Sequence, residues 1–286
     1  MSTPAPVPRR LFAAELARPE AELDLARAAL LVAMEEYPQI PVELYLARLD
    51  QMAEEVKDRL GEETAHPVVL CELLEMLFVR RGFSGNRKAY YDPRNSFLND
   101  VLDRSTGIPL TLGMVLLEVG WRLGLPLEGV NFPGHFLVRY RGAAVDLLID
   151  PFDSGKVRFA DQAQELLDQL YGGMVRVQDS FLRAATRRDM LVRLLSNLKG
   201  VYVNVSDHAR ALAVVERLLV IHPDSRTELR ARGLLLARMG RKDEAAAQLR
   251  QYLQATPDAG DLERIRSMVD DLEAGRFVAD DQTDDA

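Results

Sequence analysis

The residues able to do chemistry in this chain fall in one ordered set: a helix opening at Gly107–Thr111, the run Gly134-His135-Phe136, and Ile149-Asp150-Pro151. In a Cys-His-Asp hydrolase or acyltransferase those three places have distinct physical jobs. A thiol at a helix N-terminus is favoured as thiolate by the positive end of the helix. A histidine on a neighbouring strand takes its proton, and a carboxylate on the next strand fixes the imidazole tautomer. Here the helix start carries Pro109, Leu110 and Thr111, so Thr111 is the one hydroxyl that could serve as nucleophile. A threonine hydroxyl is far harder to deprotonate than a thiol and needs more activation than position alone supplies. Asn95 and Asn99 are candidates for polar, binding groups in the same cleft, although irregular loops also use asparagine for turns.

Three accounts of His135 and Asp150 compete. They form a structural hydrogen-bonded pair, or a ligand- or peptide-binding cleft on a non-catalytic scaffold, or a catalytic pair with Thr111 as nucleophile. No cofactor is implied and no metal is required, although Asp153 lies close enough in sequence to join His135 and Asp150. His66, His208 and His222 show no ligand spacing and read as surface or capping residues. Cys71 lies in an earlier amphipathic helix and reads as a small buried hydrophobe. With a single cysteine, no intramolecular disulfide forms and no cysteine-rich metal site exists.

The elements that position these residues follow from periodicity. Leu23, Ala26, Leu30 and Met34 share one stripe of a helix in the Pro19–Tyr37 stretch. Val42, Tyr45, Leu49, Met52, Val56 and Leu60 mark a second helix, with Gly61 placed as its C-cap. A third, after Pro67, carries Leu70, Cys71, Leu74, Leu77 and Phe78, and residues 80–99 are irregular. The helix from Pro109 to Leu123 is apolar almost all round and belongs in the domain centre, and Gly113 and Gly120 offer places where another backbone approaches. Beyond Pro126 the period changes to two, with Phe136, Val138 and Tyr140 alternating on one strand and Ala144–Asp150 returning as the next.

The hairpin tests the His135–Asp150 pairing. A two-residue turn at Arg141-Gly142 sets His135 opposite Leu148, with Asp150 its diagonal neighbour. A four-residue loop over 141–144 sets His135 opposite Asp150. Only a three-residue loop puts the two on opposite faces. Helices before and strands after make this part α+β.

The remainder is helical and repeats. Pro223 and Pro257 lie 34 residues apart (257 − 223), and the same offset pairs Tyr202 with Leu236, Ala211 with Ala245, Val215 with Leu249 and Leu219 with Leu253. Small and large residues at those places let antiparallel helices interlock, so this part resembles tetratricopeptide repeats, with a closing helix at Leu262–Leu272. Lys199 stands where that repeat prefers glycine.

Gly134-His135 and Asp150-Pro151, following a helix that ends in Arg122-Leu123-Gly124-Leu125-Pro126, resemble the transglutaminase-like superfamily. The runs Asn95–Asn99, Thr106–Pro109 and Phe132–Phe136 are similar to one bacterial branch, the SirB family, which also carries C-terminal tetratricopeptide repeats. The resemblance implies an α+β, papain-like transglutaminase-like domain with N-terminal helices and a small antiparallel sheet over residues 10–180. An all-α repeat domain follows over 187–275, between a flexible tail (1–9) and an acidic tail (276–286). The superfamily's cysteine belongs in the first turn of the Pro109–Leu123 helix, where this chain has none.

The expected function is therefore a degenerate, non-catalytic adaptor that binds a protein partner through its repeats and uses a His135/Asp150 cleft. The alternative is a hydrolase or acyltransferase acting on protein side chains. A net charge of −8 argues against general binding to nucleic acid or anionic membranes. The run Arg183, Arg187, Arg188, Arg193 reads as a solvated helix face. Apolar runs are short of a membrane span, and the first ten residues lack a signal-peptide core, so a reducing cytoplasm is the expected compartment.

Overall fold

A computed structural model describes residues 6–143, 145–256 and 260–277. By contacts the chain divides between Leu194 and Leu195. The first unit opens with α1 (Val7–Leu16), α2 (Leu25–Ala33), α3 (Val42–Leu60) and α4 (His66–Leu74), the last running on as a π-helical turn over Glu75–Arg80. Helix α1 takes up residues expected in a flexible tail; the tail's first five residues lie outside the described set. Helix α2 starts later than its apolar stripe suggested, because the Asp24 side chain accepts the Arg27 amide and caps it there. Helix α3 ends as expected at Gly61, whose φ of 58° suits glycine.

After the irregular stretch come a short strand β1 (Ser84–Gly85), helix α5 (Leu98–Arg104), strand β2 (Thr106–Gly107) parallel to β1, and helix α6 (Pro109–Arg122). Every residue of α6 from Pro109 to Gly120 is buried. Close approach at its glycines is made by side chains rather than backbone. A Cβ on Gly113 would fall 2.5 Å from the Phe136 ring, and one on Gly120 would fall 2.2 Å from Leu127. The sheet lies across this helix. Its strands β3 (Leu127–Val130), β4 (Leu137–Arg141), β5 (Asp146–Asp150), β6 (Lys156–Phe159) and β7 (Ala184–Ala185) run antiparallel in the order β6-β5-β4-β3-β7. Leu148, Leu137, Val130 and Phe132 form a further cluster with Leu166 and Leu167 of α7 (Ala163–Tyr171).

The β4–β5 register pairs Arg141 with Asp146 and Val138 with Ile149. The connection therefore lies one residue later than the four-residue loop considered from sequence. The parity is unchanged: Asp150 still shares its face with the odd-numbered positions of β4.

Helix α8 (Arg187–Asn204) crosses the division. The second unit continues with α9 (His208–Ile221), α10 (Arg226–Arg238), α11 (Lys242–Ala255) and α12 (Leu262–Glu273). Ala211 and Ala245 are both fully buried, as are Val215 and Leu249, so residues at the 34-residue offset occupy equivalent places. Gly233, the counterpart of Lys199, packs so tightly that a Cβ would meet Leu249 at 2.5 Å; Lys199 instead sends its ammonium to Glu228, 2.6 Å away. Pro257 lies outside the described residues, and so does the acidic tail from residue 278.

Candidate functional site

His135 sits on the turn that leads into β4. Gly134 before it has φ 65°, and a Cβ there would fall 2.7 Å from the Tyr171 hydroxyl, so glycine is required on both counts. The imidazole is buried, and its Nε2 lies 2.8 Å from Asp150 Oδ1 at the end of β5. The same Oδ1 accepts the backbone amides of Phe152 at 3.0 Å and Asp153 at 3.1 Å. Burial pushes the Asp150 carboxyl up, but its hydrogen bond and attraction to His135, with the two amides, outweigh that and hold it below its ordinary value. Asp150 is therefore built to stay ionised and to fix the ring. Among the described residues nothing hydrogen-bonds Nδ1, which leaves one ring nitrogen oriented and uncommitted.

Aromatic rings surround this pair. Phe152 meets His135 edge-on at 6.1 Å and Tyr90 at 5.9 Å. Phe152 also abuts Gly85, whose partner in the parallel pair is Gly107, two residues before α6. The helix start and the histidine are thus linked through one ring.

Thr111 does not meet His135 by a hydrogen bond. It is 0% exposed, and its hydroxyl donates to the Asn95 carbonyl at 2.7 Å while accepting the Ile108 amide at 3.2 Å. It is the N3 residue of a capping arrangement, where a hydroxyl satisfies an otherwise orphaned helix amide. Asn95, expected in the cleft, is fully buried inside the irregular stretch: its Nδ2 donates to the carbonyls of Ala89 and Tyr90, and its Oδ1 accepts from Asn86. Asn99 is buried on α5, and its Oδ1 has no partner among the described residues. The structure therefore unites His135 and Asp150, ties Thr111 to Asn95 instead, and leaves Asn99 apart from both. Asp153 pairs with Arg87, and among the described residues no cluster of His, Cys, Asp and Glu is arranged to hold a metal.

Cys71 is exposed, not a core residue. The sequence around it is apolar on several sides, and α4 turns Val69, Leu70 and Leu73 inward instead. Of the basic run, Arg183 is exposed as expected, but the three arginines on α8 are not a solvated face. Arg187 donates to the Glu20 and Ala21 carbonyls, and Arg188 binds the Glu20 carboxylate with the Leu16 and Arg18 carbonyls. Arg193 donates to Asn131 Oδ1 and to the Phe132 carbonyl, each at 3.3 Å.

Two features of the interior escaped sequence reasoning. Glu118, buried on α6, accepts the Ala26 amide at 3.0 Å and pairs with Arg122 at 2.5 Å; burial pushes its carboxyl up against the pull of Arg122. The second is Arg193 with its neighbours, Tyr90 and Tyr171. Electrostatic coupling of a loop tyrosine to a helical arginine 103 positions later (193 − 90) leaves no local pattern to find.

A buried central helix with an antiparallel sheet across it, and a histidine–aspartate pair at the strand ends, is the framework of a papain-like superfamily. The chain belongs to the transglutaminase-like superfamily, whose profile matches residues 43–196. Residues 198–270 match a tetratricopeptide repeat, a fold that generally mediates protein interactions. The chain is similar to a UPF0162 protein of Xylella fastidiosa, strain 9a5c, at 37% identity over 258 residues, 89% of this chain and 92% of that protein. A UPF0162 protein of Vibrio cholerae is 26% identical over 251 residues, 87% of this chain and 93% of that one. F-box only protein 21 of Mus musculus is 38% identical over 117 residues, which span 36% of this chain and 19% of the mouse protein. No solved structure matches. Among the described residues no helix is long and apolar enough to cross a membrane.

Proposed function

We propose that this protein is a non-catalytic member of its superfamily, an adaptor that holds a protein partner through its repeats and uses the surface around His135 and Asp150 to bind rather than to react. One observation carries the reading. The hydroxyl at the helix start is already spent on the Asn95 carbonyl and the Ile108 amide, and no thiol stands beside it. A nucleophile needs its proton on the path to the base, and the Thr111 hydroxyl aims elsewhere. Placement in the bacterial SirB branch, and work in the cytoplasm away from membranes and nucleic acid, go with this reading.

A second reading, a hydrolase or acyltransferase acting on protein side chains, draws on the His135 ring itself, held at Nε2 and uncommitted at Nδ1 as a general base would be. One experiment separates the two. The intact protein is incubated with a glutamine-containing peptide and a primary amine, while ammonia release and amine incorporation are followed. In parallel, cross-linked partners are captured with the wild-type chain, His135→Ala and Ala245→Phe. The adaptor reading expects no ammonia above the rate of His135→Ala, and a partner lost with Ala245→Phe. Ammonia release that disappears with His135→Ala would establish the enzyme.

A further inference from the structure

Arg193 is half-buried, and among the described residues its hydrogen bonds go to neutral oxygens alone. It projects from the second turn of α8, still within the first unit. Its Nη1 is fixed on Asn131 and on the Phe132 carbonyl, and that carbonyl also accepts the His135 amide at 3.0 Å. The guanidinium is thereby tied to the same turn that carries the histidine. Its plane lies 6.0 Å from the Phe136 ring centroid. Among the described residues no carboxylate reaches it, and its Nε and Nη2 donors have no partner while remaining reachable from solvent. Those two nitrogens form one side of the guanidinium fork, the side that receives both oxygens of a carboxylate in parallel.

We propose that the open side of Arg193, which is tied to the turn that carries His135 and lies over Phe136, binds a carboxylate monoanion. This deepens the binding role given above to the His135 surface and rests on it. The single open fork suits a monoanion. Arg87, which leans over Phe152, and Lys156 already share Asp153, at 3.0 Å and 3.8 Å, so the charge offered to a ligand on the open fork is the single one of Arg193. A phosphate dianion would leave a net negative charge in a half-enclosed place. The phenols of Tyr90 and Tyr171 fit the same ligand, since each offers a neutral donor and an aromatic wall. Partial burial holds the Arg193 guanidinium somewhat below its ordinary value, offset by Tyr90 and Tyr171, so an arriving anion meets a charge already partly stripped of water. Such a carboxylate is either the C-terminus of a peptide or a free small molecule; the chemistry is shared.

The test uses the full chain and three probes: a tetrapeptide pool with free C-terminal carboxylates, the same pool amidated, and benzoate. The free-acid pool should bind at least about tenfold more tightly than the amidated pool, the worth of a charge-assisted bidentate contact. Arg193→Gln keeps a donor for Phe132 and should abolish the difference. Arg193→Lys keeps the charge without the fork and should lose about fivefold or more. If Arg193→Gln does not fold, the lysine variant and Tyr171→Phe decide, the latter expected to weaken binding about threefold. Benzoate bound with the same dependence on Arg193, while neither pool binds, assigns the site to a free small molecule and upholds it. Absence of binding by all three probes, or binding indifferent to both arginine variants, overturns the site. The ammonia assay judges the adaptor reading separately: an active enzyme that binds the free-acid pool through Arg193 would refute the adaptor and keep the site.

Discussion

Replacing Thr111 by valine separates a hydroxyl that holds structure from one that does chemistry. Valine has the same shape, so no cavity opens, and the only loss is the oxygen. That oxygen is the partner of the Asn95 carbonyl at 2.7 Å and of the Ile108 amide at 3.2 Å, in a place with no exposure to water. Each buried group left unsatisfied costs about 1–3 kcal/mol, so Thr111→Val should lower stability by about 3 kcal/mol or more. Thr111→Ser keeps both bonds and deletes one methyl, and should cost only about 1 kcal/mol. The protein supplies its own probe: its single tryptophan, Trp121, sits near the end of α6 with its indole N–H on the Leu127 carbonyl at 2.9 Å. Urea unfolding followed by tryptophan fluorescence should show the midpoint falling by about 1–2 M for valine, at a slope of about 2 kcal/mol per molar, and by less than half of that for serine. Equal stability of the valine variant and the wild type would refute the capping role. So would a valine variant that keeps its stability but loses an activity the serine variant retains.

The remaining predictions concern the thiol, the pair and the repeats. Cys71 should react with a thiol reagent as an ordinary exposed cysteine does, and Cys71→Ser should change stability by no more than about 0.5 kcal/mol; slow labelling would return the side chain to the core. Because the Asp150 carboxyl lies below its unfolded value, its stabilisation is complete above that value and is lost as pH falls through the depressed folded one. The stability gap between wild type and Asp150→Asn should accordingly narrow as pH drops from about 5 towards 3, near and below the ordinary carboxylate range, and a gap constant over that interval would contradict the ionised pair. Ala245→Phe, at a fully buried place between repeat helices, should destabilise the second unit by about 1–3 kcal/mol or more, read as lost helicity on heating. For an engineered thiol, Pro109→Cys should label faster than Thr111→Cys, and adding His135→Ala should slow it; equal rates for the two thiols would contradict a helix phase that turns Pro109 toward Phe136 and Pro151.

That phase shows where sequence reading stops. The order of Gly134-His135 and Asp150-Pro151 pointed to the histidine–aspartate pair, and strand parity alone placed His135 and Asp150 on one face. Every even-length connection preserves that face, so the pairing survives a loop that falls one residue later than the four-residue version and two later than the two-residue one. The rotation of α6 about its axis was not available in the same way. Pro109, Leu110 and Thr111 are all buried, because the helix is apolar on every side and periodicity then points nowhere. Only contacts fix it: Gly113 faces Phe136 and Pro151, the residues flanking the pair, so Pro109, one turn earlier, shares that face while Thr111 turns to Asn95. The same ambiguity misplaced Cys71, on a helix whose apolar residues offer more than one plausible stripe. Charge was misread for a related reason. Arg187, Arg188 and Arg193 look alike in sequence, yet two are consumed by the Glu20 region and one is held to Asn131 and Phe132 with its other donors open, a difference that no local pattern carries. If a superfamily member lost its thiol while keeping the frame that oriented it, a guanidinium fixed at one nitrogen to the histidine's turn and open at the others is the feature that a binding role would need and a merely structural pair would not.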